Sequence, residues 1–155
     1  MKGNEKLIES LNTRLEEELT AINQYFVHAE VCEDWGYETL QAIIKERSIS
    51  EMKHAEKLIE RILFLEGEPI VSNLDKIFIG KSVDQMHQFD LNAEDTAIKG
   101  YNESIRLAAE VGDNGTKTIL EEILKDEEEH LDWLEAQQDQ IEQMGLQLYL
   151  SEHLG

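Results

Sequence analysis

The chain has 155 residues, enough for one domain with a real core. Its 34 acidic residues against 14 basic ones give a net charge of −20, which repels phosphate, argues against nucleic acid or an anionic membrane as partner, and points to cations. The lone Cys32 allows no internal disulfide, the opening Met1-Lys2-Gly3-Asn4-Glu5 has no apolar leader run, and no stretch approaches the ~20 apolar residues of a membrane span, so a cytoplasmic protein is expected.

Proline and glycine are scarce and clustered, leaving long runs of good helix formers. The first helix is expected at about 5–34, ending near Trp35-Gly36, and the second at about 38–66, stopped by Gly67-Glu68-Pro69 with the only proline. The third is expected at about 82–112, with Ser82 as N-cap and Gln85 three residues on. The fourth, at about 115–144, follows the turn Gly112-Asp113-Asn114-Gly115 and ends at Gly145; the tail from Leu146 to Leu154 can add a short fifth helix.

The segment at about 67–81 decides the topology. Helices of ~28 residues are ~42 Å long, and ~15 extended residues reach at most ~50 Å. This linker can therefore run the length of a bundle, whereas the other two connections are tight. An all-α four-helix bundle of two antiparallel hairpins joined by one long crossover follows. Ile77-Phe78-Ile79 in the linker and Leu146, Leu148, Tyr149 and Leu150 in the tail would be left wet on a lone bundle, so neighbouring subunits are expected to cover them.

A repeat runs through these helices. Glu18 is followed 33 residues later by Glu51-x-x-His54, and Glu94 is followed 33 residues later by Glu127-x-x-His130. An offset of 76 carries the first set onto the second, and also carries Thr20, Ala21, Ile22 and Tyr25 onto Thr96, Ala97, Ile98 and Tyr101. What survives best in both copies is a set of oxygen and nitrogen donors.

A glutamate in so acidic a chain is ordinarily a solvated helix face, but helical phase says otherwise for these four. Glu18 shares a stripe with Leu11, Leu15, Ile22 and Tyr25, and Glu51 with Ile44, Ser48, Ala55, Leu58 and Ile62. Glu94 lies in line with Val83, Ile98, Tyr101 and Ile105, and Glu127 with Leu120, Leu124, Leu131, Leu134 and Ile141. Four carboxylates at one level of a core carry a large desolvation cost unless cations are present. Two divalent ions balance them. His54 and His130, each three residues after an inward glutamate, add one nitrogen per metal, a donor set suited to iron or manganese.

Asn23-Gln24-Tyr25-Phe26, Glu51-Met52-Lys53-His54-Ala55, the run Arg61 to Gly67, Asp126-Glu127-Glu128-Glu129-His130 with Trp133-Leu134-Glu135, and Met144-Gly145-Leu146 together resemble the bacterioferritins over essentially the whole chain. The donor pattern is also the one known for ferritin-like di-iron carboxylate proteins. The resemblance implies a single ferritin-like di-iron domain over 1–155. In it Glu51 and Glu127 bridge two irons, Glu18 and Glu94 are terminal ligands, and His54 and His130 bind one iron each. It implies ferroxidase activity, the oxidation of ferrous iron by O2 or H2O2, with the ferric mineral stored in a hollow shell of 24 identical subunits. It places Tyr25 beside the di-iron centre as an electron donor, a role set against that of a core tyrosine; Tyr101 is assigned to packing.

Met52 follows Glu51 directly, so it points ~100° away from the core and suggests an interface. In the resembled family the methionine at this position ligates haem b shared between two subunits across a two-fold axis. Leu19, Ile22, Asn23, Phe26, Ile49 and Ile59 would line the slot. The haem would pass electrons inward from a small ferredoxin for iron release. Three positions depart from the family. Some members carry a histidine at position 46 and an aspartate at position 50 as an inner-surface iron site, where this chain has Glu46 and Ser50, and Lys45 stands where a tyrosine often lies beside the haem. His28, His87 and His153 belong to no motif and are expected at the surface. The competing functions are a rubrerythrin-like di-iron peroxidase, which usually carries a Cys-x-x-Cys module absent here, and a non-catalytic acidic helical scaffold, which the inward phase of the glutamates opposes.

Overall fold

The computed structural model describes residues 1–155 and is all helical. Helix α1 spans Glu5–Asp34, and the Asn4 side chain caps it by accepting from the Leu7 amide at 3.1 Å. After a turn through Gly36, α2 spans Glu38–Phe64 and returns antiparallel to α1. Helix α3 spans Val83–Glu110, and α4, Asn114–Met144, begins at Asp113, whose carboxylate accepts from the Thr116 amide at 3.0 Å. Gly145, at φ +83°, breaks α4 and lets α5, Leu146–Ser151, fold back. Helix α1 packs on α2 and α3, and α4 packs on α3 and α2, closing a four-helix bundle.

Residues 65–82 form the crossover, and α1 holds it by a ladder of side chains facing one way. Asn12 accepts from the Ile70 amide (2.8 Å), Thr20 from Asp75 (2.9 Å), Gln24 from Phe78 (3.1 Å) and His28 from Gly80 (3.0 Å). The linker thus travels along α1 from one end of the bundle towards the other, as its length requires. Gly80 is needed where it arrives, because a Cβ there would stand 2.4 Å from the Met86 amide nitrogen.

Two apolar cores lie on either side of a polar middle. One is built on Leu7, Leu11, Leu15, Leu58, Ile62, Leu120 and Ile123. The other gathers Ala29, Cys32, Leu40, Ile44, Met86 and Tyr149. Here two expectations are corrected. Tyr149 is fully buried within its own chain, its hydroxyl donating to Gln137 (2.6 Å) and lying 3.1 Å from His87 Nε2. Ser82 starts α3 but makes no side-chain cap; Gln85 reaches instead to the Lys81 amide at 2.7 Å. Phe78, Ile79 and Leu148 are exposed, as expected for one subunit taken alone.

Candidate metal centre

Each long helix sends one glutamate into the polar middle: Glu18 from α1, Glu51 from α2, Glu94 from α3 and Glu127 from α4, none more than 2 % exposed. The spacing of three brings His54 and His130 in beside Glu51 and Glu127. The six side chains form two overlapping groups, Glu18, Glu51, His54 and Glu127, and Glu51, Glu94, Glu127 and His130. Within each group one donor atom per residue lies within 4.8 Å of all the others. Glu51 and Glu127 belong to both.

The donor atoms converge without bonding one another. His54 Nδ1 lies 2.8 Å from Glu127 Oε1 and 3.5 Å from Glu18 Oε2, and His130 Nδ1 lies 3.0 Å from Glu51 Oε1 and 3.4 Å from Glu94 Oε1. These short approaches lack hydrogen-bond geometry. Of eleven buried side-chain nitrogen and oxygen atoms left without a hydrogen bond, seven belong to these six residues. Buried polar atoms are almost always paired, so seven orphans gathered in two overlapping donor groups are the arrangement a pair of cations would satisfy.

Electrostatics agrees. Burial, then the neighbouring Glu127, Glu18 and Glu94, pushes the Glu51 carboxyl far above the usual carboxylate range. Glu94 is raised likewise, by burial and then Glu127, and Glu127 is raised to about 8 by burial and then Glu18. Without cations the cluster must hold protons. For His54, burial pulls the pKa down, but the neighbouring Glu18 and Asp126 carboxylates outweigh it and leave the imidazole above its ordinary value.

Two tyrosines close the site from opposite halves. Tyr25 of α1 donates to Glu94 Oε1 of α3 at 2.5 Å, and Tyr101 of α3 donates to Glu18 Oε1 of α1 at 2.6 Å. Tyr101, expected to be mere packing, is thus the repeat mate of Tyr25 in contact as well as in sequence. Burial, then the bonded glutamate, holds both phenols well above their ordinary pKa, so both stay protonated donors. Outside this ring, His54 Nε2 lies 2.9 Å from Asp126 Oδ2 and His130 Nε2 lies 3.4 Å from Ser50 Oγ.

The surface assignment of two histidines is overturned. His28 is fully buried, its Nδ1 2.9 Å from Asp90 Oδ1, with Gln24 donating to the same oxygen at 2.9 Å and Gly80 donating to the far ring nitrogen. His87 is also fully buried, edge-on to Trp133 and Tyr149, and burial lowers its pKa to about 4, so it serves as a neutral polar spacer. His153 is half-buried against Tyr149.

A cavity of about 470 Å³ leads from the surface between α1, α3 and the linker to the four glutamates. Glu16, Glu17 and Asp75 stand among its walls with Phe78, Phe89 and Asn92. Met52 lies elsewhere, on the outer face of α2, 47 % exposed, together with exposed Phe26 and Ile49 and half-buried Leu19, Ile22 and Ile59. No helix is long and apolar enough to cross a membrane.

The ferritin-like domain family matches residues 8–144. A bacterioferritin of Rhodobacter capsulatus is 46 % identical over 147 residues, covering 95 % of this chain and 91 % of its own. Bacterioferritins of Brucella melitensis and Streptomyces coelicolor are each 42 % identical, covering 96 % and 97 % of this chain and 92 % and 90 % of theirs.

Proposed function

The chain belongs to the bacterioferritins, within the ferritin-like domain family, and from that premise we propose that it is an iron-storage ferroxidase. Two ferrous ions are its substrate, oxidised by O2 or H2O2 between Glu18, Glu51, His54, Glu94, Glu127 and His130, and the ferric product is kept as mineral within a shell of 24 subunits. Residues 1–155 act as one domain. The carrying observation is the set of seven unpaired buried donor atoms on six residues from four helices.

The chain's part in this chemistry is charge and position. Four carboxylates and two neutral imidazoles offer a charge of −4, which two divalent ions neutralise, so binding displaces the protons that burial otherwise retains. Glu51 and Glu127, the members common to both groups, are the residues that would serve both ions. Tyr25 and Tyr101 each fix one oxygen of a terminal glutamate, leaving the other, Glu94 Oε2 and Glu18 Oε2, unpaired and available to a metal. Tyr25, hydrogen-bonded to Glu94, would also serve as an electron donor to the site. The acidic walls of the cavity favour a cation over an anion as the species that reaches the glutamates.

The patch around Met52 fits a flat apolar group shared with a second subunit, since its thioether is exposed among Phe26, Ile49, Leu19 and Ile22. Haem b is the proposed occupant, with Met52 as its ligand; when bound it supplies a one-electron relay from a small ferredoxin for reductive release of iron. A cytoplasmic location suits a chain whose one cysteine is a buried free thiol.

Stopped-flow mixing of metal-free protein with ferrous iron in air-saturated buffer tests the central reading. A fast phase that saturates at two irons per chain is expected. A folded protein without such a phase would overturn it. For the haem, Met52→Leu should abolish the spectrum and leave the fast phase intact.

A further inference from the structure

The repeat of 76 residues extends one position beyond the donors. Ser50 precedes Glu51 as Asp126 precedes Glu127. The fold crosses the two over: Asp126, on α4, backs His54 of α2, while Ser50, on α2, backs His130 of α4. The geometry has been kept and the chemistry has not, for one imidazole rests on a carboxylate at 2.9 Å and the other on a hydroxyl at 3.4 Å.

This difference bears on the metals. In both rings Nδ1 faces the carboxylates, so a metal bound there would leave the N–H on Nε2, directed outward to its partner. A carboxylate accepting that N–H locks the tautomer, fixes the ring plane and raises the basicity of Nδ1. A hydroxyl at the limit of hydrogen-bond distance does little of any of these. The His130 side chain is also the less enclosed, 9 % exposed against 2 % for His54.

We propose that Asp126 makes the two metal positions unequal. The ion held by Glu18 and His54 fills first and leaves last; the ion held by Glu94 and His130 is the exchangeable one, loosened by Ser50. Asp126 acts as a positioning residue, through His54, and touches no metal itself. The inference rests on the two-metal reading of the same six side chains, and it adds an order of filling that their own symmetry does not contain.

Cobalt(II) titration of the metal-free protein without oxygen, followed by visible absorption, tests it. Two steps of one ion each are expected, separated by about tenfold or more in affinity. Glu94→Ala should remove the weaker step and Glu18→Ala the tighter one, which assigns them. Asp126→Ser should weaken the tighter step by about 10–100-fold. Ser50→Asp should strengthen the weaker step and merge the two, a change that no loss of folding can imitate. A single step of two equivalent ions, or a separation unmoved by Ser50→Asp, would overturn the inequality and leave the centre standing. Folded protein that takes up no cobalt at all would overturn both together.

Discussion

At Leu15 the bundle is sealed by aliphatic side chains from several helices; three residues further along α1, at Glu18, the interior holds four carboxyls and two imidazoles. The two levels share the same helices and are equally hidden from water. Their energetics oppose each other. Removing Leu11, Leu58 and Ile62 from water favours folding by about 1.5–3 kcal/mol each, with no ligand required. Burying Glu51, Glu94 and Glu127 disfavours folding until protons or cations arrive, as the upward push on all three carboxyls records. The apolar end holds the scaffold rigid against the repulsion in its middle, so stability and chemistry should separate on mutation.

Glu51→Ala makes the sharpest cut. It removes an oxygen donor common to both groups, so the fast oxidation phase should vanish in stopped-flow. The metal-free chain should melt at an unchanged or higher temperature, because a repelling carboxyl has gone. Leu58→Ala should do the opposite, costing about 2–5 kcal/mol in denaturant unfolding while fast oxidation persists in the folded fraction. If Glu51→Ala unfolds the metal-free protein, the two levels are not separable in this way.

Acidity should sharpen the contrast next. Glu127 has a folded pKa raised to about 8 from an ordinary 4.5, and Glu51, Glu94 and His54 move in the same direction. The folded metal-free chain therefore binds protons more tightly than the unfolded one. Its stability should be greatest at low pH within the range 5–8 and fall as pH rises through that window towards the folded value. Filling both positions with zinc should flatten or reverse the slope in thermal melts. A metal-free stability that climbs over the same interval would contradict the burial cost assigned to the glutamates. The smallest effect is expected of Tyr101→Phe, which removes one hydrogen bond to Glu18, worth about 1 kcal/mol, and loosens the terminal ligand. Unfolding and cobalt affinity should each change modestly; an unchanged cobalt isotherm would return Tyr101 to a packing role.

Much of this was legible in the residues. Helix bounds came from glycines, the proline and caps, and the crossover from the length of one linker. The four glutamates stood out because they interrupt leucine stripes in phase. The buried residues that the pattern does not announce are polar and lie in the same phase. His28 is three residues beyond Tyr25 and four before Cys32, and His87 is four after Val83 and three before Asp90, so both sit on buried faces. Phase alone places both inside, as it does the glutamates, whereas their polarity argues for the surface. Their partners explain the difference: His28 is buried by bonds to Asp90 and to a linker amide more than fifty residues away, which no local pattern encodes. The repeat names Tyr101 as the mate of Tyr25, but its bond to Glu18 joins residues of different hairpins, which the spacing within either does not reveal. The burial of Tyr149 is not legible in the tail because its acceptor, Gln137, lies across the turn at Gly145, a reversal that spacing alone does not aim.

The crossed pairs, Tyr25 on Glu94 and Tyr101 on Glu18, mean that each hairpin's terminal ligand is braced by the other hairpin. Neither donor group is complete on one side of the crossover, since the first borrows Glu127 and the second borrows Glu51. During synthesis the α1–α2 hairpin emerges first, carrying three donors but neither the fourth nor the tyrosine that orients Glu18. A nascent or half-docked chain is thereby a poor iron chelator. A redox-active ion can settle firmly only after the last long helix has closed the bundle, when the surrounding protein is in place to contain it.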